Sequence, residues 1–140
     1  MSFKDFIAYV VMQISGAIFG CVVANIIFKL PPVTISTLVR HDFSQFLSEI
    51  LATFGLILVI FIGSEVSKQT IPVLVGSYIA SAYWFTSSTS FANPAVTVAR
   101  QFSDTFTGIS PSGVPTFIIA QIFGAILGFV VIQWLTNKVI

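Results

Sequence analysis

Charge is what this chain has least of. Six Lys and Arg and five Asp and Glu make up 8% of 140 residues, where a soluble domain carries about a quarter. Hydrophobic residues are 56% of the sequence and the mean hydropathy is strongly positive, so water is not its main solvent. A net charge of +1 with no basic stripe leaves no electrostatic footprint for nucleic acid. There is one cysteine, Cys21, and one histidine, His41, which excludes an internal disulfide and gives no metal-ligand spacing. His41 lies in a polar stretch with no nucleophile or ligand paired to it, so no catalytic constellation, cofactor or metal site is expected.

What is abundant is apolar length. Four stretches, 6–28, 46–63, 71–87 and 115–135, each come near the roughly 20 residues that carry a helix across a bilayer. They predict four transmembrane helices, with the lipid bilayer as partner. The first has a rival reading as a signal peptide, since Lys4 precedes an apolar run reaching Cys21. The run continues to Phe28, past the 7–15 residues of a signal core, which favours a spanning helix. Between the spans, 29–45 with Pro31, Pro32, Arg40 and Asp42 reads as a loop holding charge at an interface. The short polar link 65–70 makes the second and third spans antiparallel neighbours. Lys4, Lys68 and Lys138 fall on one side of this arrangement and Lys29, Arg40 and Arg100 on the other, so the positive-inside rule gives no orientation.

One pattern occurs twice. Gln13, Gly16 and Gly20 in the first span are repeated as Gln121, Gly124 and Gly128 in the fourth. Spacings of i, i+3 and i+7 put the three on one helix face, and each glycine pair is a small-xxx-small pattern suited to close helix packing. Three steps along the chain separate the copies, so they should run in opposite directions, as in an inverted repeat.

The segment 87–102 begins small and polar and then turns apolar for about two turns. Asn93 suits a helix N-cap, and Pro94 suits the first helical position, where a missing N–H costs nothing. Ten residues of helix rise only about 15 Å, half the hydrocarbon thickness. The segment 93–103 therefore fits a re-entrant half-helix, and 87–92 would be irregular backbone, tolerated at membrane depth only where it is enclosed by protein or lines a water path. A surface helix with an ordinary cap is the alternative on these residues alone. Glu49, the one ionisable residue inside an apolar span, falls in that span's first turn. It either reaches headgroup water or is paired.

Ser90 to Arg100 (SFANPAVTVAR), Val114 to Gln121, Gly124 to Gly128 and Ser48 to Phe54 together resemble the aquaporin and aquaglyceroporin (major intrinsic protein) family. The resemblance covers nearly the whole chain and implies an all-α membrane protein, an aquaporin-like inverted-repeat bundle of four transmembrane helices plus one re-entrant half-helix. In that register residues 1–140 form a partial domain matching the family's third to sixth helices. Asn93, Pro94 and Ala95 are then its second Asn-Pro-Ala box, and the first box and first two helices are absent. Glu49 would accept hydrogen bonds from the re-entrant loop. Asn93 would donate its amide hydrogens to a passing oxygen, and the positive helix end would disfavour cations.

The resemblance also implies the filter. Many members carry arginine directly after the second box, where this chain has Val96. Arg100 lies four residues on, at a later turn where it cannot stand in, so the pore should be wider and less selective for water. Ser81 and Ser90 would supply the remaining contributions from this half. The combination is similar to a bacterial subgroup associated with arsenic resistance, and implies a passive channel for water, glycerol and metalloid hydroxides such as arsenous acid. It further implies a homotetramer in a bacterial inner membrane. The competing expectation is a non-conducting truncated membrane protein or assembly component. An ion-coupled transporter is disfavoured by the single intramembrane ionisable group.

Overall fold

The computed structural model describes residues 2–136, among which the chain is helical with no strand. Its elements are α1 (Phe3–Ile27), α2 (Phe43–Val66), α3 (Ile71–Phe85), α4 (Pro94–Ala99) with a 3-10 turn (Arg100–Phe102), and α5 (Val114–Thr136) entered through a 3-10 turn (Pro111–Gly113). Lys138, which weighed in the charge tally, lies outside the described residues. Two compact units are formed, one from Met1–Arg40 and Asn93–Pro115, the other from His41–Ala92 and Thr116–Ile140.

In the first unit, α1 starts on a capping box. The Ser2 hydroxyl accepts from Asp5 N, and the Asp5 carboxylate accepts from Ser2 N at 3.1 Å, so two otherwise orphan donors are satisfied reciprocally. The helix stops at Lys29, which takes the left-handed φ of 59°. Leu30 N then donates to Asn25 O at 2.8 Å and Lys29 N to Ile26 O at 2.9 Å, the paired bonds of a Schellman ending. Pro31 and Pro32 prevent resumption. The strap that follows is tied to the segment after α4 by Ser36 N donating to Gln101 O and Ser110 N to Leu38 O, both at 2.8 Å. Arg40 was expected to hold charge at an interface, but it is buried, donating through Nε to Gly108 O at 2.7 Å and through Nη2 to Phe106 O at 2.6 Å. A guanidinium can be buried when carbonyls take its donors. His41 is exposed. Within this unit α1 packs on α4.

In the second unit, α2 is flanked by α3 and α5. Tyr78 of α3 donates its hydroxyl to Ala52 O at 2.9 Å, a close approach that Gly55 permits, because a Cβ there would strike the Tyr78 hydroxyl. On the other side, Gly124 leaves room for the Ile50 carbonyl and Gly128 for the Ile57 side chain.

Three helices, beginning at Phe3, Phe43 and Pro111, are long and apolar enough to cross a membrane. The third apolar stretch, expected over 71–87, forms a helix of only 15 residues, rising about 22 Å against a hydrocarbon core of about 30 Å. Many large apolar side chains point outward, Trp84 at 83% and Trp134 at 76% exposure among them. In water such patches would drive association; in lipid they are the solvated surface.

Candidate functional site

The short helix α4 begins where the Asn-Pro pair dictates. Asn93 has extended backbone angles, and its side-chain oxygen accepts from Ala95 N at 2.8 Å. Pro94 occupies the first turn without forfeiting a bond. Thr97 returns its hydroxyl to Asn93 O at 2.9 Å. With the Asn93 carbonyl oxygen engaged, the polarity of its amide is fixed, and Nδ2 is the end left to donate. The helix is six residues long, ending at Ala99, and its 3-10 turn carries the helical stretch to Phe102, so it falls short of the expected 93–103, with Asn93 as its cap and Ser103 beyond its end.

In the second unit the decisive group is Glu49. Helix α2 starts at Phe43, three residues ahead of the apolar run, so Glu49 sits in the second turn and is fully buried. Its Oε1 accepts from the Ser88 hydroxyl at 2.6 Å and from Phe91 N at 2.8 Å. Its Oε2 accepts from Ala92 N at 2.9 Å and from Gln121 Nε2 at 2.7 Å. A carboxylate offers about four acceptor positions, and all are used, which is the condition under which burying one is tolerable.

The loop that Glu49 holds is strained. Thr89, Ser90 and Ala92 have φ of 64°, 49° and 47°, the left-handed region that non-glycine residues avoid at a cost of order 1–3 kcal/mol each. Two consecutive backbone N–H groups aimed at one carboxylate supply the compensating bonds. Phe91 is buried and its ring lies 5.1 Å from that of Phe117 in α5, clamping the loop from its apolar side.

The residues named from sequence divide as follows. Val96 lines an open groove of about 280 Å³ in the first unit, together with Cys21 and Asn25 of α1 and with Arg100, Ser103 and Thr107. Ser81 is exposed on α3 and returns its hydroxyl to Ser77 O within its own helix at 2.9 Å. Ser90 is buried in the strained loop, and its hydroxyl has no hydrogen-bond partner among the described residues. Gly124 and Gly128 are tight contacts. At Gly16 and Gly20 a Cβ would meet no described atom within 4 Å, and Gln13 is exposed.

Three participants escaped the sequence reading. Ser88 shares Oε1 of Glu49, and only the fold brings them together. Gln121, placed with Gly124 and Gly128 on one packing face of the helix, also completes the carboxylate's shell. Asn25 is buried, donating through Nδ2 to Pro32 O at 3.1 Å and Phe102 O at 3.0 Å and accepting from Ser103 Oγ at 2.7 Å. A lone asparagine inside an apolar run was the signal that could have found it, because such a group must be bonded in a membrane. No cluster of three His, Cys, Asp or Glu able to hold a metal occurs among the described residues.

Apolar helices with outward-facing aliphatic and aromatic surfaces, and a buried carboxylate and amide whose hydrogen bonds are met inside the protein, define an all-α, multi-pass membrane protein. Over 132 residues, 94% of its length, the chain is 48% identical to the aquaglyceroporin AqpS of Rhizobium meliloti (strain 1021), and it spans 57% of that protein. The match supports the resemblance to the aquaporin and aquaglyceroporin family. No family model matches the chain, and no solved structure does.

Proposed function

We propose that these residues form one wall of a transmembrane pore for small neutral solutes, with α4 as its half-helix. The observation that carries this is the Asn93 cap. Its oxygen is committed to Ala95 N, so the amide hydrogens remain to donate to a passing hydroxyl or water oxygen. The short α3 (Ile71–Phe85) acts as a fourth span, and the braced loop 88–92 as the irregular backbone that precedes the half-helix. Transport is passive, with no chemistry done on the solute.

Within this reading Val96 sets a wide filter. A valine offers neither charge nor donors, so glycerol and metalloid hydroxides such as arsenous acid should pass as well as water. The name of the similar Rhizobium protein, an aquaglyceroporin, supports the same solute class. Ser81 and Ser90 are carried as further filter positions, and a homotetramer as the assembly.

Flux into liposomes bearing the 140-residue chain tests the proposal. Glycerol and arsenous acid should both enter faster than into empty vesicles, and Val96→Arg should cut their entry by roughly tenfold or more while sparing water. Passage of water with exclusion of glycerol and arsenous acid would refute the filter argument. No flux of any of the three would refute conduction and favour a non-conducting membrane component.

A further inference from the structure

The segment after α4 carries a hydroxyl on every second residue, Ser103, Thr105 and Thr107, and in the first unit the three are joined into one chain. Ser103 Oγ lies 3.2 Å from Thr105 Oγ1, which lies 3.3 Å from Thr107 Oγ1. The direction of donation is fixed from the buried end. Asn25 Nδ2 donates to the carbonyls of Pro32 and Phe102, which can only accept, so Oδ1 is the end that takes the Ser103 hydrogen, at 2.7 Å. A hydroxyl has one hydrogen. With that of Ser103 engaged by Asn25, Thr105 must donate to Ser103 and Thr107 to Thr105. The chain is therefore polarised, each bond strengthening the next, and it ends in an oxygen whose own hydrogen is committed. Among the described residues nothing donates to Thr107 Oγ1.

That end is open. Ser103 and Thr107 border the groove that contains Val96 and Cys21, and also an adjoining one of about 450 Å³, where Thr105 joins them together with the apolar Ala24, Phe28 and Leu30. We propose that Thr107 Oγ1 is the acceptor of a second binding site, apart from the Asn-Pro-Ala segment, which takes small alcohols and diols through a hydrogen bond that they donate and rejects ethers of the same frame. An alcohol extends the chain by one more bond in the same sense. An ether oxygen can only accept, and it meets an oxygen with no hydrogen to offer. Ala24, Phe28 and Leu30 supply the surface for the carbon frame, and Asn25 is the positioning residue that sets the polarity. The site goes beyond the pore reading, since binding there needs no transport.

Cys21 reports occupancy without engineering. It is the one cysteine of the chain, it is partly accessible, and it lines the same groove as Thr107. In vesicles bearing the chain, its rate with the neutral reagent N-ethylmaleimide is followed as ethylene glycol, 2-methoxyethanol or 1,2-dimethoxyethane is added, each rate divided by that of a free thiol in the same mixture. Ethylene glycol should protect saturably, about threefold at twice its dissociation constant, with methoxyethanol weaker and dimethoxyethane weakest. Burial of apolar surface alone would give the reverse order, because each added methyl favours transfer out of water. Thr107→Val, which keeps the shape and removes only the last hydroxyl, should abolish the advantage of the glycol over the diether, and Thr107→Ser should keep it.

The order of the three solutes on the unsubstituted protein needs no variant to fold. Equal protection by all three, protection that rises with the number of methyls, or a glycol advantage that survives Thr107→Val overturns the proposal. So does an absence of protection by the glycol, or a Cys21 that the reagent does not reach, since the groove would then be closed. Protection does not require flux. Donor-dependent protection without solute flux therefore refutes the pore reading alone, and flux without such protection refutes the Thr107 site alone.

Discussion

The same helix face is written twice in this chain and, among the described residues, only the α5 copy is closely covered. In α5, Gln121 donates to Glu49 at 2.7 Å, Gly124 lies against the Ile50 carbonyl with Thr53 Cβ 3.0 Å from where its own Cβ would be, and Gly128 lies 2.9 Å on the same measure from Ile57. In α1, Gln13 is exposed, and neither Gly16 nor Gly20 would bring a Cβ within 4 Å of any described atom. The pattern therefore encodes a capacity for close approach. Whether it becomes an interaction depends on the surface opposite. α2 meets α5 with a carboxylate, a backbone carbonyl and small side chains at the right spacing.

Removing what makes the α5 copy different should have the largest effect. Glu49→Ala leaves Ser88, Phe91 N, Ala92 N and Gln121 without their acceptor and frees a loop with three left-handed residues. A loss of about 3–5 kcal/mol in unfolding from mixed micelles is expected, the range for breaking a buried charged network. A loss below about 1 kcal/mol would mean that the loop does not depend on the brace.

The glycines give the next contrast. Gly124→Ala forces its Cβ onto the Ile50 carbonyl, which is backbone and cannot swing away, and should cost about 2–3 kcal/mol. Gly16→Ala meets nothing described and should instead gain about 0.5–1 kcal/mol from helix propensity. If Gly16→Ala proved as damaging as Gly124→Ala, a further surface would have to cover α1, and the contrast between the copies would vanish.

Much of this was legible in the sequence because it depends on local chemistry. The Asn93–Pro94 start of α4 follows from a capping side chain and a residue without an N–H. The long helices follow from apolar runs, although each starts ahead of its run; the start of α1 is set by Ser2 and Asp5 rather than by hydropathy. The site was less legible where it depends on contact between distant segments. The meeting of Glu49 with Ser88 and Gln121, the burial of Arg40 against the carbonyls of residues 106 and 108, and the hydrogen bonds of Asn25 to 32, 102 and 103 join positions that no periodicity relates. Strain at Thr89, Ser90 and Ala92 was invisible for another reason. None of these is a glycine, so composition gave no sign that the backbone turns left-handed there.

The glutamines give the smallest and sharpest test. Gln121→Ala removes one of the four donors to Glu49 while Ser88, Phe91 N and Ala92 N remain, so the carboxylate is weakened rather than orphaned, and a loss of about 1–2 kcal/mol is expected. Gln13→Ala exchanges an exposed amide for a better helix former and should fall within about 0.5 kcal/mol of zero. The two residues have the same type and the same spacing to their glycines. A measured difference would therefore report what the opposing surface contributes, and Gln121→Ala in a Glu49→Ala background should then cost less than it does alone, because its bond to the carboxylate has already gone. A full additive loss in that double variant would show that Gln121 acts through contacts other than Glu49, and would return it to the packing role that its spacing alone suggests.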